Sequence, residues 1–206
     1  DTGRVEGLEV PYYTDLGRAK RIVVDKDNTT VIEGAAAEPE VVDLADFLTK
    51  MGAKIEGAGT RTIVVEGVKE LGGAEHNVIA DRIEAGTFLV AGAIAGKRVT
   101  LKRAQPEHMT GFISVLEKCG YPITIDGDEI TIARAERPVG AEIRTEPYPG
   151  FPTDMQAQFT ALFATVPGLS VITETIFPQR FMHVPELARM GAQITLEGAT
   201  AIIKGV

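Results

Sequence analysis

A chain that repeats itself is constrained more tightly than one that does not, because each copy has to build the same elements and bury the same faces. This sequence aligns with itself in three segments spaced by roughly 70 residues. The first runs through residues 30–33, Glu38, Pro39 and Glu40, a helix pattern ending at Met51 and Gly52, and an alternating stretch over 63–68. The second has residues 99–102, then Gln105, Pro106 and Glu107, a helix pattern to Cys119 and Gly120, and alternation over 123–132. In the third, residues 170–174 precede a helix pattern from Phe181 to Met190 and Gly191, and 194–206 closes the copy.

Helical periodicity places one apolar stripe on each helix: Val41, Leu44, Ala45, Leu48 and Met51 in the first, Met109, Phe112, Ile113, Leu116 and Cys119 in the second. The period-2 stretches that follow are hairpins, the clearest turning at Gly127 and Asp128. Helix and hairpin can then share one buried face. The second and third copies also have a front half, a strand over 74–79 leading to Asp81 and a strand over 141–146 leading to Thr153 and Asp154. The full unit is thus strand, helix, strand, helix, hairpin, an α/β architecture with helix N-termini on a common face where anions can bind. In the first copy Arg21 to Asp25 supplies the strand, but Lys26 to Asn28 stands where the helix belongs.

The stretch 151–159 carries the most chemistry. Thr153 followed by Gln156 has the form of a capping box, and Met155, Phe159, Leu162, Phe163 and Val166 recur at helical spacing. Asp154 then falls in the first helical turn. Local sequence leaves two readings open, a carboxylate that complements the helix dipole or a general base facing a ligand. Arg180 lies in a loop rich in apolar residues, where a guanidinium is costly unless it meets a carboxylate or a ligand anion. Cys119 takes the slot of Met51 and Met190 before a helix-ending glycine, which marks it as a core thiol. His76, His108 and His183 lack the i,i+4 spacing of metal ligands, and there is no glycine-rich phosphate loop. Gly86 and Gly92 fall inside a helix pattern, as close packing requires.

Composition narrows the partners. With 206 residues, 44% of them hydrophobic and 24% charged, the chain is of ordinary globular type. A net charge of -8 without clustered Lys and Arg disfavours nucleic acid. The longest apolar run, 86–96, is about half of what a membrane-spanning helix requires. No signal-type segment is evident, so no membrane role and a cytoplasmic location are expected. A single cysteine rules out an internal disulfide framework. Residues 1–20 receive no function.

Several of these motifs belong together. Residues 36–45, 57–60, 81–90, 105–107, 151–159, 173–177 and 180–187 closely resemble the UDP-N-acetylglucosamine 1-carboxyvinyltransferase family of enolpyruvyl transferases, and the resemblance extends from Thr29 to Val206. It implies an inside-out α/β barrel fold, two domains of three units each, with the active site in the cleft between them. It also implies transfer of the enolpyruvyl group of phosphoenolpyruvate to the 3-hydroxyl of UDP-N-acetylglucosamine, a step of peptidoglycan synthesis that needs no cofactor and no metal. Asp154 matches the residue that removes the hydroxyl proton. Thr153, Ile176 and Phe177 match positions that hold the nucleotide sugar, and Glu38, Asp81, Arg82 and Arg180 match polar positions lining the cleft.

The departures from the family pattern are as informative. The family's catalytic loop with its reactive Cys is absent, Tyr148 stands where many relatives have His, and Ala85 where Thr is usual. The expectation is therefore about half of an enzyme: residues 1–79 an incomplete remnant of the first domain, and 80–206 two repeat units of the second, inactive alone. The rival from another class is a non-catalytic repeat domain with residual nucleotide-sugar binding. A sister transferase acting on a shikimate phosphate shares the fold, but the runs at 153–158 and 180–183 favour the nucleotide-sugar branch.

Overall fold

The computed structural model describes residues 21–24 and 28–206. The expectations for residues 1–20 and for Asp25, Lys26 and Asp27 lie outside the described residues. The chain divides into two compact units, one ending at Ile79 and the other Ala80–Val206.

The first unit contains β1 (Arg21–Val24), β2 (Thr29–Glu33), α1 (Pro39–Lys50), β3 (Lys54–Glu56) and β4 (Thr62–Glu66), with the strands ordered β1-β2-β4-β3. Pro39 opens α1, where its missing N–H costs nothing. Ala45 is the buried centre of the α1 stripe, with Val41 and Leu48 half-buried beside it. Leu44, expected on the same stripe, is exposed at its edge.

The second unit holds two repeats around one core. Its elements are α2 (Arg82–Ala95), β5 (Arg98–Leu101), α3 (Thr110–Lys118), β6 (Ile123–Asp126), β7 (Glu129–Ala133), β8 (Glu142–Arg144), α4 (Gln156–Ala164), β9 (Gly168–Thr173), α5 (Val184–Arg189), β10 (Gln193–Glu197) and β11 (Thr200–Gly205). Strand orders are β5-β7-β6 and β10-β11-β9-β8. Read from the other edge, the last sheet repeats the order of the first unit, and the three-stranded sheet lacks only the leading strand. The described residues form three open sheets and no closed barrel.

The direction of the leading strand follows from its connection. β8 runs parallel to β9 because α4 carries the chain back across the sheet. β1 reaches β2 through only residues 25–28, and the pair is antiparallel. The strand expected over 74–79 does not form. His76 ties that segment to α1 instead, through Nε2 to Asp43 Oδ1 at 2.9 Å and a ring contact with Phe47 at 5.2 Å, so side chains rather than a ladder hold it.

The stripe of α3 is buried as its periodicity requires. Met109, Phe112, Ile113, Leu116 and Cys119 face Ile130 and Ile132 of β7 across one core cluster. Gly52, Gly120 and Gly191 end the three equivalent helices at φ of +104°, +90° and +100°, a conformation that favours glycine. The third helix is shorter than expected. Pro185 sits in the first turn of α5, which begins at Val184 rather than Phe181, and Met190 is exposed where Cys119 is fully buried. Gly86 and Gly92 do permit close packing: a Cβ on Gly86 would lie 2.8 Å from Phe112 Cζ and 2.9 Å from Met155 Sδ, and one on Gly92 2.9 Å from Val99 Cγ2.

Burial pushes the Cys119 thiol up to about 11. The thiolate is the reactive form, so a disulfide reagent at pH 8 should leave Cys119 unmodified in the native protein and label it once urea unfolds the chain. Rapid native labelling would contradict the packing of α3.

Candidate functional site

Phe151 is buried, and the chain then makes a 3-10 turn over Thr153–Met155 before α4 begins at Gln156. The expected capping box does not form, since no side chain caps either the turn or α4. The Thr153 hydroxyl has a stronger acceptor, donating at 2.8 Å to Oε2 of Glu174.

Glu174 follows β9 and is 1% exposed. A buried carboxylate is stable only when donors surround it, and this one has four. Oε1 accepts from the Thr145 hydroxyl at 2.7 Å, the Ile176 amide at 2.9 Å and the Phe177 amide at 3.0 Å, while Oε2 takes the Thr153 proton. Thr145, fully buried beyond β8, also accepts from the Thr175 amide at 2.8 Å. One carboxylate thus fastens the loop after β9 to the turn before α4.

That fastening brings Arg180 onto Asp154. Nη1 of Arg180 donates to Asp154 Oδ1 at 2.7 Å and to Thr153 Oγ1 at 3.2 Å, and the guanidinium lies 5.6 Å from the centre of the Phe177 ring. The side chains of Arg180 and Asp154 are 41% and 49% exposed, so the pair contributes on the order of 0–1 kcal/mol to stability. Asp154 Oδ2 makes no hydrogen bond among the described residues. The arrangement is a half-exposed carboxylate steadied through one oxygen, with the other open to take a proton. Nearby His183 has its pKa lowered by burial and by the Arg180 charge, which favours the neutral imidazole.

The remaining expected residues are placed differently. Asp81 and Asp154 open the corresponding segments but are not equivalent: Asp81 Oδ1 caps α2, accepting from the Ile83 amide at 2.8 Å and the Glu84 amide at 3.0 Å. Arg82 is buried, with its guanidinium 5.7 Å from the centre of the Tyr148 ring. α2 packs against the Thr153–Met155 turn, and Thr87 accepts a hydrogen bond from Gln158 Nε2 at 2.9 Å. Glu38 belongs to the first unit, preceding α1, with Oε2 buried and without a hydrogen bond among the described residues.

Residues 22–206 match the family described as EPSP synthase (3-phosphoshikimate 1-carboxyvinyltransferase). The chain belongs to this family. Within this EPSP synthase family its similarity is to proteins named UDP-N-acetylglucosamine 1-carboxyvinyltransferase. One from Akkermansia muciniphila is 62% identical over 182 residues, covering 87% of this chain and 43% of its own length. Another, from Caldanaerobacter subterraneus subsp. tengcongensis, is 51% identical over 205 residues, covering 100% of this chain and 49% of its own length. The chain spans about half the length of the curated relatives it matches. In fold it is similar to the enolpyruvyl transferase NikO from Streptomyces tendae, with a TM-score of 0.77 at 24% identity over 88% of this chain and 43% of that one.

Glu174 and Thr145 were not singled out by sequence reasoning. Glu174 lies within the 173–177 run that carries the family resemblance, but its local setting, directly after an apolar strand and between two threonines, suits a solvated acid equally well.

Proposed function

We propose that this chain serves the transfer of the enolpyruvyl group from phosphoenolpyruvate to the 3-hydroxyl of UDP-N-acetylglucosamine, in the cytoplasmic part of peptidoglycan synthesis. The observation that carries the reading is the Asp154 carboxylate, steadied by Arg180 through Oδ1 and open at Oδ2, in a chain 62% identical to a transferase of that name. Asp154 takes the hydroxyl proton as the sugar oxygen attacks. Thr153, Ile176 and Phe177 hold the nucleotide sugar, Arg180, Arg82 and Asp81 are polar residues near the reacting groups, and Glu38 of the first unit serves the same substrates. Residues 1–79 are then the tail of a first domain and 80–206 two units of a second, within an inside-out α/β barrel of three units per domain. By itself the chain is inactive.

The family description names a shikimate substrate and the relatives a nucleotide sugar, so the acceptor is the point to test. Phosphate release by the full-length native protein, given phosphoenolpyruvate, is expected with UDP-N-acetylglucosamine and not with shikimate 3-phosphate. The reverse preference would overturn the assignment.

A further inference from the structure

A threonine hydroxyl has one proton and can present it in only one direction. Thr153 gives its proton to Glu174 Oε2, which leaves a lone pair of Oγ1 facing Arg180 Nη1. Arginine is donor-only, so it can rest on Thr153 only while that hydroxyl points its proton elsewhere. A carboxylate at Glu174 accepts only and enforces this direction. Arg180 Nη1 is thereby shared between Thr153 and Asp154, and the two contacts fix the guanidinium where it meets Asp154 Oδ1.

We propose that Glu174 is a positioning residue: it sets the polarity of the Thr153 hydroxyl and, through it, seats Arg180 on Asp154. The asymmetry of its four contacts gives a clean way to test this. Three donors converge on Oε1 and one on Oε2. In E174Q the amide oxygen takes the Oε1 place, since an NH2 there would face three donors, and the NH2 falls opposite Thr153. Thr153 must then accept from that NH2, which releases its proton to the two remaining directions around Oγ1, one of them toward Arg180. The contacts to Thr145, Ile176 and Phe177 are kept, so the loop stays anchored while nothing any longer holds the Thr153 proton away from Arg180.

The kinetic test rests on the function proposed above and is a double-mutant cycle of E174Q and Thr153→Val in the full-length protein. E174Q is expected to lower kcat roughly tenfold or more, as misplacing a reacting group does. In the Thr153→Val background the same change should alter kcat by less than about twofold, because the hydroxyl it acts through is gone. Equal losses in both backgrounds, or no loss in the first, would overturn the proposal. If the unsubstituted protein transfers nothing, the function fails and the positioning role is read from crystal structures instead. Arg180 Nη1 should leave hydrogen-bond distance of Asp154 Oδ1 in E174Q, and retention of the contact sinks the role. Should E174Q not fold, the Thr153→Val structure decides by the same contact.

Discussion

Asp154→Asn in the full-length protein is expected to reduce phosphate release by about 10²–10⁴-fold, the usual contribution of a positioned base, with little change in melting temperature. Asparagine is close to isosteric and keeps an oxygen for Arg180, but its amide cannot take the hydroxyl proton. The competing view, an acid complementing the helix dipole, predicts instead a stability loss on the order of 0.3–1 kcal/mol and nearly intact turnover. Asp154 lies in the first turn of the 3-10 segment ahead of α4 and is paired with Arg180, a geometry that suits either view. Melting temperature and phosphate release measured on the same variant separate the two. Near-normal turnover with UDP-N-acetylglucosamine bound would show that the base is elsewhere.

Local patterns were legible in the sequence where one interaction range dominated. The α3 stripe from Met109 to Cys119 could be read because five residues at one spacing face one hairpin, and all five are buried. Repetition made the recurrence of related sheets legible too, since three copies of one pattern have to build similar elements, while the order of the strands came from the structure. Long-range competition is what local patterns do not contain. Thr153 and Gln156 satisfy the spacing of a capping box, yet the hydroxyl is claimed by Glu174, 21 residues away. The same applies to 74–79, where the repeat calls for a strand while His76 commits the segment to Asp43. For Arg180 the need for a carboxylate or a ligand anion followed from its apolar loop, but the choice of Asp154 needed the loop after β9 to be fastened by Glu174, a long-range role that the 173–177 run does not reveal.

Phe159→Ala is expected to cost about 3–5 kcal/mol of stability, the range for deleting a fully buried aromatic side chain. The Phe159 ring has no solvent exposure and meets Phe151 edge-on at 4.9 Å and Phe163 at 6.0 Å, so the substitution removes two aromatic contacts as well as apolar burial. The loss reaches the site by a short path. Phe151 pairs with Thr145 and its carbonyl accepts from the Glu146 amide at 2.8 Å, so its ring, once unsupported by Phe159, no longer pins the segment that delivers Thr153 and Asp154. Urea unfolding monitored by circular dichroism should show a lowered midpoint at unchanged slope. Leu196→Ala, at a side chain 43% exposed, serves as the control and should stay within about 0.5 kcal/mol. A margin of ~5–15 kcal/mol is usual for a folded protein, so a loss of the expected size takes a large part of it. Equal small shifts for both substitutions would mean that Phe159 is not the keystone of this core.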